Sequence, residues 1–191
     1  MNEPRTRGAD FDPSRFAPPE IINRAADIKI LVLDVDGVLT DGRIYLDRYD
    51  NEYKAFHARD GHGMKMLMES GVEIAVITGR SSLVVVRRMT ELGITHLYQG
   101  CQEKGPVFDA LLKKLDFAAT DAAYVGDDVP DLPVMLRCRL AISVADAHPF
   151  VKQYAHWITP GAGGRGAVRD ACELIMAAQG ALNHQFEIRG G

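Results

Sequence analysis

The feature that most constrains this chain is a short apolar segment, residues 30–33, which runs directly into the carboxylates of Asp34 and Asp36 and then into Gly37. A short run of apolar and β-branched residues closed by glycine predicts a strand that is buried on both faces of a sheet. Asp34 then stands where the strand leaves the sheet, which is the edge at which open α/β sheets bind their ligands. Two carboxylates beside apolar packing repel each other and lose hydration, so they need a cation or a proton nearby. By itself the string also fits a solvated turn, but the motifs downstream favour a site for a divalent metal.

Beyond this segment, apolar strand-like runs alternate with helical segments. The predicted strands are residues 73–77, 96–98, 122–125, 140–144 and 156–158. The predicted helices are residues 20–26, 61–70, 81–92, 104–115, 130–136, 149–154 and 166–179. This alternation predicts an α/β fold, a Rossmann-like doubly wound parallel sheet with helices on both faces. One hairpin, over residues 43–46 and 52–56, breaks the alternation and is expected to project from the sheet, since it is too short to form a domain.

Length and composition bound the domain organisation. The chain has 191 residues, of which 47% are hydrophobic and 25% charged, as expected for one globular domain with a sizeable core. We assign this domain to residues 20–179. Residues 1–19 mix four prolines with charged side chains and predict a mobile N-terminal arm. Residues 180–191 are expected to form a flexible C-terminal tail.

Charge and cysteine usage exclude several classes of function. A net charge of −4 gives no field that would attract nucleic acid or an anionic membrane. No apolar run approaches the roughly 20 residues of a membrane span, and the N-terminal segment lacks the apolar core of a secretion signal. The three cysteines are odd in number and widely spaced, which favours reduced thiols and a cytoplasmic location over a disulfide framework. A phosphorylated substrate would therefore need positive charge placed locally at its site.

Two further segments carry groups suited to a phosphate. Thr78, Gly79 and Arg80 follow the strand at 73–77, where a hydroxyl, free helix amides and a guanidinium can donate to phosphoryl oxygens. Lys104 opens the helix after the next strand, where a cation is unfavourable to the helix dipole unless an anion shares the site. Taken singly, Thr78 also fits a helix cap and Lys104 a solvated surface residue.

A second acidic cluster, Gly126-Asp127-Asp128 followed by Asp131, ends the strand at 122–125. A hard cation such as Mg²⁺ needs about six oxygens and keeps several waters, so carboxylates from two separate strands suit it. We expect Asp34, the Asp36 carbonyl and Asp127 to supply three of these oxygens. Asp128 and Asp131 also fit helix caps.

In this order the four motifs resemble those of the haloacid dehalogenase superfamily of phosphotransferases, over nearly the whole chain. The resemblance implies that Asp34 attacks phosphorus to form an aspartyl-phosphate. It implies that Asp36 protonates the leaving oxygen and then activates the hydrolytic water. By the same resemblance Thr78 and Lys104 hold the phosphoryl group, and Mg²⁺ is bound by Asp34, Asp36 and Asp127.

Many members of that superfamily carry a cap domain after the first or second motif, but the gaps here hold only the hairpin, single helices and a strand. Four strings, at residues 54–61, 94–100, 145–149 and 163–169, are similar to those of the capless 3-deoxy-D-manno-octulosonate (KDO) 8-phosphate phosphatases of lipopolysaccharide precursor synthesis. That resemblance implies a Mg²⁺-dependent homotetramer in which neighbouring subunits and the C-terminal tail complete each site. It carries substrate contacts over to residues in and between the motifs: Asp36, His57, Ala58, Arg59, Asp60, Gly61, Lys65, Gly79, Arg80, Arg88, Lys104 and Arg165.

Alternatives remain open on the sequence alone. A phosphatase for nine-carbon sugar acid 9-phosphates belongs to the same capless group. A phospho-receiver signalling domain uses similar residues, but it places the acidic pair before the phosphorylated aspartate, whereas here the candidate nucleophile comes first. Residues 161–166 match Gly-x-Gly-x-x-Gly, but no later strand with a ribose-binding acid follows, so we interpret this segment as a mobile tail that lets Arg165 reach a neighbour.

Overall fold

The computed structural model describes residues 17–49 and 51–185. In chain order its elements are α1 (Pro19–Ala25), β1 (Ile30–Leu33), β2 (Tyr45–Leu46), β3 (Glu52–Tyr53), α2 (Ala58–Glu69), β4 (Glu73–Ile77), α3 (Leu83–Leu92), β5 (His96–Tyr98), α4 (Lys104–Leu115), β6 (Ala122–Gly126), α5 (Leu132–Met135), β7 (Leu140–Ser143), α6 (Pro149–Lys152), β8 (Trp157–Ile158), α7 (Ala167–Ala178) and α8 (Leu182–Gln185).

Six of the strands form one parallel sheet in the order β5-β4-β1-β6-β7-β8. The chain winds outward from β1 in both directions, which confirms the predicted doubly wound α/β fold. All four residues of β1 are fully buried, as its unbroken apolar run predicts.

The register of the three central strands positions the candidate site. Leu33 of β1 lies opposite Val76 of β4 on one side and Val125 of β6 on the other. The residues that follow these strands therefore leave the sheet at one edge. Asp34, Thr78 and Asp127 follow these three strands and meet at this edge, although more than forty residues separate each from the next along the chain.

Two apolar cores cover the two faces of the sheet. Leu31, Leu33 and Val76 point into one core, which α2 and α7 cover. Val32 and Ile77 point into the other core, to which α4 contributes buried side chains. Alternate residues of each strand enter opposite cores, so a strand buried on both faces must be apolar throughout.

The hairpin is shorter than the sequence predicts, because only β2 and β3 pair in antiparallel fashion and residues 47–51 connect them. Its side chains Tyr45, Leu46 and Tyr53 are 44%, 62% and 57% exposed. Between the described strands of the main sheet, the chain forms only this hairpin, single helices and short turns, and no cap domain is inserted.

The ordered domain extends beyond both predicted boundaries. Ala17 is buried and Pro19 is the first residue of α1, a position that suits its fixed φ angle, so part of the segment predicted as a mobile arm belongs to the fold. At the other end, α8 and the buried Leu182 lie within the predicted tail 180–191. The rest of both predictions, residues 1–16 and 186–191, lies outside the described residues.

The predicted helix over residues 130–136 also differs from the structure. It consists of a 3₁₀ turn over Val129–Asp131 followed by the four-residue α5. Prolines at positions 130 and 133 interrupt the backbone hydrogen-bond pattern that a longer helix would need. All three cysteines are free, and within the described parts of the chain no helix is long and apolar enough to cross a bilayer.

Candidate active site

A cavity of about 250 Å³ opens at the edge where β1, β4 and β6 end. The sequence-predicted residues that line it are Asp34, Asp36, Thr78, Gly79, Arg80, Lys104 and Asp127. All four predicted motifs therefore contribute to one cavity, and every residue predicted to act in catalysis or to bind the metal lines it.

Asp34 occupies the first position after β1 and is only 7% exposed. Its backbone N–H donates to the Val125 carbonyl at 3.1 Å, which extends the sheet pairing to this residue and fixes the start of its side chain. Burial, with the negative charge of Asp131 added to it, raises the Asp34 pKa to about 6, although Lys104 offsets part of the rise. The Lys104 Nζ lies 2.8 Å from Asp34 Oδ1.

Asp131 is a functional residue that the sequence reasoning treated only as a helix cap. It is 1% exposed, and its Oδ1 accepts hydrogen bonds from Lys104 Nζ at 2.6 Å and from the Tyr124 hydroxyl at 2.7 Å. Its Oδ2 accepts the backbone N–H groups of Asp127 and Asp128 at 2.9 and 3.2 Å. Four donors use the lone pairs of this carboxylate, so Asp131 holds Lys104 and the Asp127 loop in place.

Lys104 is 4% exposed and lies between the carboxylates of Asp34 and Asp131. Burial lowers the pKa of its ammonium group, but the two neighbouring carboxylates outweigh burial and raise the pKa above its usual value. The ammonium therefore stays charged at the floor of the cavity.

The carboxylates of Asp34, Asp127 and Asp131 have oxygens that lie within 4.8 Å of one another. Burial, followed by the charges of Asp131 and Asp34, raises the pKa of Asp127 to about 8. One lysine does not balance the charge of three carboxylates, so the cluster carries excess negative charge. Carboxylate oxygens in such a cluster are the ligands that a hard divalent cation prefers. Because the lone pairs of Asp131 are taken, Asp34 and Asp127 are the two carboxylates free to bind such a cation.

Gly37 allows this cluster to close. Its φ of +98° suits glycine, and a Cβ at this position would lie 2.1 Å from Asp127 Oδ2. Glycine is therefore required after the Asp-x-Asp pair because any larger side chain would clash with the Asp127 carboxylate.

The carboxylate of Asp36 is not part of the acidic cluster and lies beside two cations. Its Oδ1 accepts a hydrogen bond from Lys54 Nζ, and its Oδ2 lies 3.7 Å from Arg80 Nε. The predicted contribution of Asp36 to the metal, through its backbone carbonyl, stays a prediction. Lys54 was missed by the sequence reasoning, and the signal that could have found it is the alternation of Glu52, Tyr53 and Lys54 after the hairpin turn.

Thr78 and Gly79 form the side of the cavity that follows β4. Thr78 is 2% exposed, its N–H donates to the Tyr98 carbonyl, and its own carbonyl accepts the Cys101 N–H, both at 3.0 Å. This pairing to the end of β5 and to the segment after it fixes the Thr78 backbone at the cavity. Around Gly79 the nearest atom to an added Cβ is the Cys101 carbonyl oxygen at 3.7 Å, so the backbone here is open to a ligand.

The predicted sugar contacts do not all meet in this cavity. Arg59 and Arg165 line a separate groove of about 520 Å³, together with residues of α7. Arg88 bonds to Glu91 at 2.9 Å, and its guanidinium lies over Gly61.

The remaining members of the predicted set lie at or near the first turns of α2. His57 is the residue before the helix, and the side chains of Ala58 and Lys65 are exposed. None of these three positions is among the residues that line the cavity.

Asp60, another predicted substrate contact, has a structural role here. It is 1% exposed, and its carboxylate accepts the backbone N–H groups of Gly166 at 3.3 Å and Arg169 at 2.8 Å. An acidic group at this end of α7 satisfies amides that have no partner within the helix and complements its dipole. Asp60 thus ties α2 to α7, and its predicted contact with the substrate stays a prediction.

The glycine-rich segment 161–166 is packed and ordered, so its interpretation as a mobile tail is wrong. The Gly164 N–H donates to the Val38 carbonyl at 2.9 Å, and the Gly163 N–H donates to Asp146 Oδ1 at 2.8 Å. A Cβ on Gly163 would lie 1.8 Å from the Gly37 carbonyl oxygen. The glycines allow this backbone to pack closely against the loop that carries Asp34 and Asp36.

Comparison with known proteins agrees with this geometry, although no family model matches the chain. The chain is 49% identical over 164 residues to the 3-deoxy-D-manno-octulosonate 8-phosphate phosphatase KdsC of Escherichia coli strain K12, covering 86% of this chain and 87% of that protein. A structure from Moraxella catarrhalis of 3-deoxy-D-manno-octulosonate 8-phosphate phosphatase, in complex with a magnesium ion, a phosphate ion and KDO, superposes with a TM-score of 0.87 at 41% identity, covering 88% of this chain and 97% of that one. A haloacid dehalogenase superfamily (subfamily III A) hydrolase structure from Legionella pneumophila gives a TM-score of 0.84 at 45% identity, covering 85% of this chain and 90% of that one.

Proposed function

The chain belongs to the 3-deoxy-D-manno-octulosonate 8-phosphate phosphatase family of the haloacid dehalogenase superfamily, and we propose that its cavity hydrolyses this substrate. The products are 3-deoxy-D-manno-octulosonate and inorganic phosphate, in lipopolysaccharide precursor synthesis, and Mg²⁺ is the cofactor. The observation that carries the proposal is the meeting of Asp34, Lys104 and the Asp127 carboxylate at one sheet edge, in a cavity that also holds Asp36 and Thr78.

The difficulty of the reaction explains the composition of the site. Phosphate monoesters hydrolyse so slowly that an enzyme must supply on the order of 20 kcal/mol of transition-state stabilisation. A carboxylate that attacks a phosphate dianion is repelled by it, so the equatorial oxygens must be neutralised. We assign this role to Lys104 and the Thr78 hydroxyl, which line the cavity, while Asp34, the Asp36 carbonyl and Asp127 would hold Mg²⁺. When bound, Mg²⁺ supplies positive charge that offsets the repulsion between the carboxylate and the phosphoryl group.

In the first step, a carboxylate oxygen of Asp34 forms a bond to phosphorus as the bond from phosphorus to the sugar oxygen breaks. The proton of a protonated Asp36 passes to that leaving oxygen, so this oxygen departs as a hydroxyl group of the sugar acid. The result is an aspartyl-phosphate on Asp34. Covalent catalysis divides one high barrier into two lower ones.

In the second step, water attacks the phosphorus of the aspartyl-phosphate. Asp36, now ionised, takes a proton from this water, and Asp34 leaves as a carboxylate. Both catalytic aspartates then return to their starting state. Lys104 stays in place through both steps because Asp131 Oδ1 accepts a hydrogen bond from its Nζ at 2.6 Å.

We also propose that the active unit is a homotetramer in which neighbouring subunits complete each site. The cavity has no cap domain over it, and an open site excludes water poorly. The hairpin exposes Tyr45, Leu46 and Tyr53 close to the site, and exposed apolar surface of this kind suits a protein interface. Sedimentation at micromolar concentration should show a tetramer, whereas a fully active monomer would contradict subunit completion. We further propose a cytoplasmic location, which the three free cysteines support.

Release of inorganic phosphate tests the proposal directly. The purified protein, incubated with Mg²⁺ and a panel of phosphate esters, should prefer KDO 8-phosphate over nine-carbon sugar acid 9-phosphates, hexose phosphates and nucleotides. The variant Asp34→Asn serves as the matched control for contaminating phosphatases, because it should release no phosphate from any ester. A preference for hexose phosphates or nucleotides would contradict the proposed substrate.

A further inference from the structure

The hairpin delivers a buried lysine to the carboxylate of Asp36. The Lys54 side chain is 2% exposed, and its Nζ donates to Asp36 Oδ1 and lies 3.4 Å from Glu52 Oε1. The two residues beside it in sequence, Tyr53 and Ala55, are exposed. The Lys54 side chain is therefore buried, although the residues on either side of it are exposed to solvent.

The burial of Lys54 follows from strand alternation and has an energetic consequence. Glu52 and Lys54 are two residues apart, so an extended backbone turns both to the face opposite that of Tyr53. A buried ammonium costs several kcal/mol unless partners compensate it. Glu52 and Asp36 are those partners, so the location of Lys54 depends on the catalytic aspartate.

Arg80 completes an alternating arrangement of two cations and two carboxylates. Its Nη2 bonds to Glu52 Oε1 at 3.1 Å, and its Nε lies 3.7 Å from Asp36 Oδ2. The two oxygens of Asp36 thus have different surroundings. Oδ1 is held by buried Lys54, and Oδ2 is turned toward Arg80, which lines the cavity.

We propose that Lys54 is a positioning residue for the proton transfers of Asp36. By donating to Oδ1, Lys54 fixes the orientation of the carboxyl group and leaves Oδ2 as the oxygen that gives and takes the proton. In the first step the O–H bond at Oδ2 breaks as a new O–H bond forms on the sugar oxygen, and in the second step a proton from water returns to Oδ2. The inference rests on the proposed role of Asp36 as acid and base.

This role predicts a dependence on the leaving group. A sugar oxygen is a poor leaving group and needs the proton as its bond to phosphorus breaks, whereas p-nitrophenolate leaves without one. The ratio kcat/KM reports steps up to the first irreversible one, which is phosphoryl transfer to Asp34. Loss of a residue that only positions the acid should therefore lower kcat/KM for a sugar phosphate and change kcat/KM for p-nitrophenyl phosphate little.

The test compares Lys54→Met with wild type on KDO 8-phosphate and on p-nitrophenyl phosphate at saturating Mg²⁺. Positioned acid and base groups contribute about 10²–10⁴-fold, and the variant retains Asp36, so we expect kcat/KM for the sugar phosphate to fall about 10- to 100-fold. The loss should lie in kcat, with KM unchanged, and kcat/KM for p-nitrophenyl phosphate should stay within about threefold. Lys54→Arg, which keeps a donor and the charge, should recover most of the lost turnover. Lys29→Met, which removes a lysine from a surface ion pair with Asp121, is the matched control and should behave as wild type.

The ratio between the two esters is independent of the fraction of folded enzyme, so partial unfolding of the variant cannot imitate the result. Equal losses for both esters, no loss for either, or a loss confined to KM would overturn the positioning role. If the wild-type protein hydrolyses no ester, both the proposed function and this inference are wrong. If the wild type is active and Lys54→Met keeps the same ratio of kcat/KM for the two esters, only the inference is wrong.

Discussion

Replacing Gly163 by alanine tests whether the glycine-rich segment supports the catalytic loop. The added Cβ would lie 1.8 Å from the Gly37 carbonyl oxygen, 2.6 Å from the Gly37 carbonyl carbon and 3.1 Å from the Thr40 carbonyl oxygen. All three atoms are backbone, so no side chain can rotate away. Since ordinary contact begins at 3.4 Å, the two segments must separate by about 1.6 Å at the tightest point.

Overpacking of this kind costs about 2–3 kcal/mol of the free energy of unfolding, which for a chain of this length lowers the melting temperature by about 4–12 °C. Turnover should fall as well, because Gly37 directly follows Asp36 in the loop that is pushed away. A misplacement of about 1 Å at a reacting group costs up to about 100-fold in rate, so we expect kcat for KDO 8-phosphate to drop about 10- to 100-fold.

The control is Gly71→Ala, at a glycine that has a φ of +94° and no atom within 4 Å of an added Cβ. This variant should lose about 1–2 kcal/mol from backbone strain alone and keep its turnover. Thermal unfolding and steady-state kinetics on both variants separate the two effects. A Gly163→Ala protein with the melting temperature and kcat of wild type would refute the packing of this segment against the catalytic loop.

Three further predictions concern the charges of the site. Asp34→Asn should abolish phosphate release while the metal-free protein melts at the same or a higher temperature, because a neutral amide no longer repels Asp127 and Asp131; a lower melting temperature would contradict this. Lys104→Met should destabilise the fold by about 3–5 kcal/mol, since it leaves buried carboxylates without their cation, and thermal unfolding with a stability close to wild type would argue against this pairing. Without a divalent cation, the raised pKa values of Asp34, about 6, and Asp127, about 8, mean that the folded state binds more protons than the unfolded state between about pH 4 and 8. Stability should therefore fall as pH rises through this window, and Mg²⁺ should raise the melting temperature more at pH 8 than at pH 5; equal shifts at both pH values would be inconsistent with the raised pKa values.

Much of the fold could be predicted because its signals are local. An apolar run that ends in a carboxylate or hydroxyl marks the carboxyl end of a buried strand, and Asp34, Thr78 and Asp127 each follow such a run. Strands that alternate with helices form a parallel sheet, whose carboxyl ends share one edge. The order of the motifs along the chain therefore implies that these side chains converge at one edge of the sheet.

The sequence alone determined the parallel sheet and the chemical identity of the groups at its edge, because periodicity and strand ends depend on neighbouring residues. Only the tertiary structure decided which partner each polar group takes. Asp60 caps a helix that begins more than a hundred residues later, Lys54 reaches back to Asp36, and Gly163 presses on Gly37. These pairings depend on how distant segments approach in space, and a pattern of residue types carries no distance between segments that are far apart in the chain.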